Sequence, residues 1–191
     1  MLRSSLLVSA LVLLAAAPLR AQETESDPDQ LTLRYSGQAG RRAVNGVAHK
    51  LEWSVVALQG GAVRVSLRVP VDAFESGDPG VDARLQQALE SARFPFVEVD
   101  GIAQTLSLPV RFTGVVRLHG QTRPFAAVLS LARAGGQLAV SCSLGLDLGG
   151  FGVERPSLDG ALLDPKLEVE FSALLSIQPQ AIASGGFVNS N

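Results

Sequence analysis

Val63-Arg64-Val65-Ser66-Leu67-Arg68-Val69 alternates aliphatic and polar residues without a break, and Pro70 ends it. A period of two over that length describes a β-strand with one face in a core and the other in water. The same rhythm recurs on both sides. Leu31, Leu33 and Tyr35 alternate with Thr32 and Arg34, and Leu51, Trp53 and Val55 alternate with Glu52 and Ser54. Val97 and Val99 flank Glu98. Val110, Phe112, Val116 and Leu118 share one parity opposite Arg111, Thr113 and Arg117, and Phe125, Ala127, Leu129 and Leu131 continue it beyond His119-Gly120-Gln121-Thr122, whose composition is that of a hairpin turn. Leu138, Val140, Cys142, Leu144 and Leu146 form a seventh run, and Leu167, Val169, Phe171, Ala173 and Leu175 an eighth.

One segment breaks the pattern. From Asp78 to Ala92, Val81, Leu85, Ala88 and Leu89 fall at helical spacing, with Asp78 as N-cap, Pro79 at the first helical position and Pro95 beyond the end. One short helix over residues 79–92 is therefore expected to cross between strands. Eight antiparallel strands with resolved parity fit a closed barrel, which leaves no exposed edges, better than a two-sheet sandwich. The fold class expected is all-β: an eight-stranded antiparallel barrel with one short helix.

Composition limits the chemistry. The 191 residues are about one domain, and the single cysteine, Cys142, rules out an intramolecular disulfide. The histidines His49 and His119 are too few and too far apart in sequence for an ordinary zinc site, so no metal is expected. Neither a Gly-x-Ser-x-Gly elbow nor a His-Glu-x-x-His pair occurs, and Glu168 and Glu170 stand on the outward parity of a strand, as a solvated face would place them. No catalytic residue and no cofactor is expected. An enzyme would need His49 and His119 together at one end of the barrel. Gly60-Gly61, Gly135-Gly136 and Gly149-Gly150 read as turn glycines at hairpin positions.

The ends of the chain point to export. Arg3 precedes an apolar run from Leu6 to Ala17, about a dozen residues and too short to span a bilayer as a helix, so residues 1–21 are expected to be a cleaved signal peptide. A periplasmic or secreted location follows, with no integral membrane span. Without Arg3 and Arg20 the 16 basic residues fall to 14 against 18 acidic ones, a net charge of −4 that disfavours nucleic acid as partner. Residues 22–30 read as a flexible acidic linker, residues 31–178 as the barrel domain and residues 179–191 as a disordered tail.

A barrel of eight strands is just wide enough to be filled by side chains or to hold one small ligand. The inward positions here are mostly Val, Leu and Ala. The candidate lumen residues are Leu33, Tyr35, Trp53, Val65, Leu67, Phe112, Val116, Phe125, Leu129, Cys142, Leu144, Val169, Phe171 and Leu175. Alternation alone leaves a filled core and an apolar pocket both open. A filled barrel would act as an interaction module through its loops.

Four stretches, in order, carry a resemblance. They are Val47-Ala48-His49-Lys50-Leu51-Glu52-Trp53; Val69-Pro70-Val71 with the Ser76-Gly77 loop and Ala88-Leu89-Glu90-Ser91-Ala92-Arg93-Phe94-Pro95; Gly114-Val115-Val116-Arg117-Leu118-His119-Gly120-Gln121-Thr122-Arg123; and Gly150-Phe151-Gly152-Val153-Glu154-Arg155-Pro156. Together the sequence resembles the YceI-like family of exported proteins. The resemblance implies a lipocalin-like barrel whose interior holds an amphiphilic isoprenoid of polyprenyl or isoprenoid quinone type, for sequestration or transport. The partner it implies is that lipid-like molecule; a homodimer is left open, since the sequence does not give the oligomeric state. The sequence departs from the family pattern at Gly150, where an Asp is usual before the Phe.

Overall fold

The computed structural model describes residues 23–24, 31–105, 107–134 and 137–176. The expected signal peptide, the tail from 179 and the Gly135-Gly136 turn lie outside the described residues. The strands are β1 (Glu23–Thr24), β2 (Leu31–Ala39), β3 (Arg42–Ala48), β4 (Glu52–Ala57), β5 (Val63–Pro70), β6 (Phe74–Glu75), β7 (Phe96–Ala103), β8 (Val110–Leu118), β9 (Gln121–Ala134), β10 (Gln137–Asp147), β11 (Ser157–Leu158), β12 (Ala161–Leu162) and β13 (Lys166–Ser176). The helix α1 (Pro79–Ala88) lies between β6 and β7.

Each of the eight runs of alternation forms a strand: β2, β4, β5, β7, β8, β9, β10 and β13. They belong to one antiparallel sheet with the order β1-β4-β5-β7-β8-β9-β10-β13-β2-β3-β6. The sheet curls until its ends meet. Among the described residues no ladder joins β4 to β2 or β3. Side chains close this seam instead: Leu33 of β2 and Ala48 of β3 share one apolar cluster with Leu67 of β5, and Trp53 of β4 packs against it. The His49 N–H also donates to the Ala73 carbonyl, 3.0 Å away, across the same side.

The structure corrects the expectations in four places. β3 was not expected, because Gly46 interrupts its pattern and only Val44 and Ala48 are buried on it. Its place is secured by pairing along β2 from Leu33↔Ala48 to Ala39↔Arg42. Within the expected linker, Glu23 and Thr24 pair with Val56 and Val55. Gly149-Gly150 opens a single 3-10 turn over Gly149–Phe151 that leads into a long loop, and no hairpin forms there.

The helix ends at Ala88, four residues before the expected limit of 92. Glu90 adopts a left-handed φ of 48°. The Glu90 N–H then donates to the Gln87 carbonyl and the Ser91 N–H to the Gln86 carbonyl, both at 3.0 Å. That pair of bonds is a Schellman stop, a role usually taken by glycine and therefore not visible in the composition. At the other end Asp78 caps as expected: its Oδ1 accepts from the N–H groups of Gly80 (2.9 Å) and Val81 (3.3 Å). Arg42 binds Asp78 Oδ2 at 2.8 Å and also pairs with Asp159, so the helix start is tied to β3 and to the β11–β12 hairpin.

The Asp78 carboxyl is held below its ordinary range, first by the Arg42 guanidinium and then by the Gly80 and Val81 N–H groups. A carboxylate whose folded pKa is depressed stabilises the fold above its unfolded pKa, and that stabilisation is lost as pH falls through the folded value. Asp78→Ala is therefore expected to lower the melting temperature at neutral pH, with the gap from wild type closing below about pH 4. Thermal melts across that range check this; a gap that stays constant into strong acid would remove the charge from the account.

Candidate functional site

Inside the curled sheet are two adjoining cavities whose linings expose only apolar atoms. The smaller, about 100 Å³, lies under α1. The larger, about 280 Å³, lies toward the end away from the helix and approaches the lower limit of ordinary small-molecule sites. Leu33, Leu67, Val99, Leu144 and Val169 line both, so the two are separated by a waist of five aliphatic side chains.

Every residue expected to line the lumen does so. Leu33, Leu67, Leu144 and Val169 sit at the waist, Tyr35 and Val116 in the smaller cavity, and Trp53, Val65, Phe112, Phe125, Leu129, Cys142, Phe171 and Leu175 in the larger. The helix contributions were not expected: Leu85 and Leu89 close the smaller cavity, with Asp82 and Gln86 at its border. Their i, i+4 spacing on an amphipathic helix was a readable signal, but which end of the sheet the helix covers is a tertiary fact.

Aromatic rings leave the lumen open because they lie over glycines. Gly101 of β7 pairs with Gly114 of β8. A methyl group at Gly101 would collide with the Phe112 and Phe125 rings, which meet edge to face with centroids 5.1 Å apart. The Tyr35 ring lies over Gly46, its cross-strand partner, in the same way. Rings accommodated in the wall take up less of the interior.

Polar groups at the lumen wall are few. Among the described residues the buried Tyr35 hydroxyl has no partner in hydrogen-bond geometry, and its pKa is pushed up to about 12, by burial first and by the Asp82 carboxylate second, with the Ser76 hydroxyl opposing them. Asp82 itself is held by the Ser76 N–H (2.8 Å) and hydroxyl (2.6 Å). The Trp53 Nε1–H is buried with no partner among the described residues.

Comparison with known proteins accords with this geometry. The model of the YceI-like domain matches residues 25–175. The chain belongs to the YceI-like family. The YceI-like match begins inside the segment expected as a linker. Among solved structures, Burkholderia cenocepacia BcnA superposes with a TM-score of 0.68 at 14% identity, over 78% of this chain and 99% of that one. A polyisoprenoid binding domain from Saccharophagus degradans, implicated in plant cell wall breakdown, gives 0.59 at 13% identity, over 78% and 94%. The Campylobacter jejuni YCEI protein gives 0.57 at 9% identity, over 71% and 85%. No curated protein matches the sequence.

The YceI-like motifs that looked most chemical are structural in this chain. His119 and Gly120 form the two-residue turn between β8 and β9, with φ of 51° and 71°, the left-handed pair that such hairpins require. The His119 Nδ1 lies 3.2 Å from the Phe151 carbonyl, which can only accept, so Nδ1 is the donor in that contact. Nε2 lies 3.1 Å from Glu90 Oε1, and the Phe94 ring meets the imidazole edge to face at 4.9 Å. His49 faces Glu75 at 3.8 Å instead. The two histidines are thus held by different elements. Gly150, at the departure from the family pattern, uses its carbonyl to accept from Arg123 Nε at 2.9 Å.

Cys142 is half-buried on the wall of the larger cavity, paired with Phe171, and burial pushes its thiol pKa up. Because the thiolate is the reactive form, labelling by a small maleimide at pH 7 is expected to be far slower in the native protein than in denaturant. Mass spectrometry of timed aliquots reads this directly, and equal rates in the two conditions would place Cys142 outside the wall.

Proposed function

We propose that this YceI-like protein is an exported carrier that holds the chain of an amphiphilic isoprenoid, of polyprenyl or isoprenoid quinone type, within the barrel. One observation carries the reading: two cavities meeting at an aliphatic waist, with no polar atom exposed in either. Such a space offers a hydrocarbon chain roughly 0.8 kcal/mol for each CH₂ removed from water, and it offers a polar head nothing. The head group therefore stays outside the lumen. The structural neighbour from Saccharophagus degradans is a polyisoprenoid binding domain, which agrees with this ligand class.

Entry from the end away from α1 fits the distribution of cover. The α1 end is packed by Val81 and Leu85 together with Leu148, Phe151, Val153 and Leu163. The opposite end is bounded by the β4–β5 and β7–β8 connections, where Leu58 and Leu108 are exposed at 38% and 72%. Among the described residues no helix is long and apolar enough to cross a membrane. Export rests on the leader expected over residues 1–21.

The test is native mass spectrometry of the protein purified without detergent from its exported fraction, followed by organic extraction. An excess mass that extracts as a long-chain isoprenoid is expected; a bare mature mass, with no uptake of an added polyprenol, would favour the filled-barrel interaction module. A second measurement uses the waist. Leu67→Trp and Leu144→Trp are each expected to abolish uptake while leaving the melting temperature close to wild type, because the added ring occupies space that is otherwise empty. Overpacking of a filled core would instead cost about 1–3 kcal/mol, so strong destabilisation of both variants would count against a usable lumen.

A further inference from the structure

The two outer walls of the barrel differ in a way that the lumen does not explain. On β4, β5, β7 and β8 the outward side chains are laced with ion pairs: Arg64–Asp100 at 2.6 Å, Arg68 with Glu52 and with Glu98 at 3.6 Å, and Arg117–Glu98 at 3.8 Å. On β9, β10 and β13 two consecutive outward rows carry no charge. Ala132, Ala139 and Leu174 stand in register across the three strands, and Ser130, Ser141 and Ser172 form the next row. Of the large apolar residues exposed to solvent, Val128 (57%) and Leu174 (38%) are the ones on the long wall strands, and both are on this wall.

Unpaired charges of opposite sign flank the next outward row, that of Val128 and Ser143. On one flank Arg111 of β8 stands beside Val128. On the other flank Glu170 of β13 stands beside Ser143 of β10, which by strand register is the same row. Among the described residues neither Arg111 nor Glu170 has an ion-pair partner, whereas Glu168 accepts from Ser143 Oγ at 2.6 Å. Glu170 also has Arg34 of β2 as its in-register neighbour, without an ion pair between them. From Gly101 to Leu146 the chain contains no Asp or Glu, so Arg111 has no carboxylate to meet on β8, β9 or most of β10.

We propose that this wall is the interface of a homodimer, in which two copies pack β8, β9, β10 and β13 face to face about a two-fold axis parallel to the strands. Rotation about such an axis between β9 and β10 exchanges the two flanks. Arg111 of each copy then meets Glu170 of the other, three strand spacings of about 4.8 Å from it within one chain. An axis perpendicular to the strands would set Arg111 against Arg111, so the charges select the first arrangement. In the adjacent rows Ser130 meets Ser141 of the other copy and Ala132 meets Ala139, so the middle of the contact buries no charge, as the centre of an interface requires. This inference stands on the outer wall alone and is independent of the lipid reading.

The experiment is sedimentation equilibrium of the mature protein from micromolar to several hundred micromolar at low salt, with circular dichroism to verify each fold. Wild type is expected to dimerise reversibly. Arg111→Glu and Glu170→Arg are each expected to weaken the dimer about tenfold or more, because each symmetric contact then sets like charges together. Mixing the two single variants restores association, since one copy's new Glu meets the other's new Arg while the two native residues still pair. A wild type that stays monomeric throughout the range, or a mixture no tighter than the single variants, overturns the proposal.

Discussion

The width of the space inside a curled antiparallel sheet is set by strand number, the spacing of about 4.8 Å between strands and their tilt, and only afterwards by what the side chains fill. In this protein the inward positions of β2, β4, β5, β8, β10 and β13 are mainly Val, Leu and Ala, which are too short to meet across that width. The long rings do not compensate, because Phe112, Phe125 and Tyr35 lie against glycines in the wall. The lumen is thus a result of backbone geometry combined with a shortage of volume. The same positions supply the clusters around Leu33, Leu67 and Leu129 that hold the wall together.

The two ends of the barrel are built differently, and this gives the lumen a direction. At the helix end the loops are fastened to one another by hydrogen bonds from side chain to backbone: His119 to the Phe151 carbonyl, Arg123 to that of Gly150 and Arg84 to that of Ser157. The Leu148 N–H adds a bond of 2.7 Å to the Pro165 carbonyl. These contacts seat α1 and the segment from Leu148 to Leu163 as a lid whose apolar side joins the largest core cluster. The residues with the look of chemistry are therefore occupied in closing one end. A hydrocarbon chain held in such a barrel meets rigid cover at one end and loops with exposed leucines at the other.

Much of the fold was legible because alternation is a local signal with a physical cause: one face of every strand must be dry. Strong repeats such as Val63 to Val69 placed both the strand and its inward parity, and parity in turn placed the lumen residues. β3 was not legible, since Gly46 and Asn45 break its pattern and it exists through pairing with β2. The helix end was misplaced because Glu90 takes the left-handed conformation usually given to glycine, where its carboxylate meets His119 and Arg93. Asp82, Leu85, Gln86 and Leu89 could be assigned to a helix but not to a cavity, because their position over the smaller cavity depends on where the chain returns after Phe74.

The charge pattern follows from the same parity but answers to a different constraint. An outward strand position is free of packing demands, so its residue is set by water, by neighbours or by a partner. Apart from Arg111, the charged outward residues of β4, β5, β7 and β8 satisfy one another within about 4 Å, and such exposed pairs add little to stability. Solubility alone would favour a similar mixture on β9, β10 and β13. Those strands instead present two rows of Ala, Ser and Leu, with Arg111 and Glu170 left unpaired at the ends of the adjacent row. A wall with exposed Val128 and Leu174 is a poor choice for permanent contact with water. In a symmetric contact, the uncharged rows and the charged ends of the adjacent row serve one arrangement.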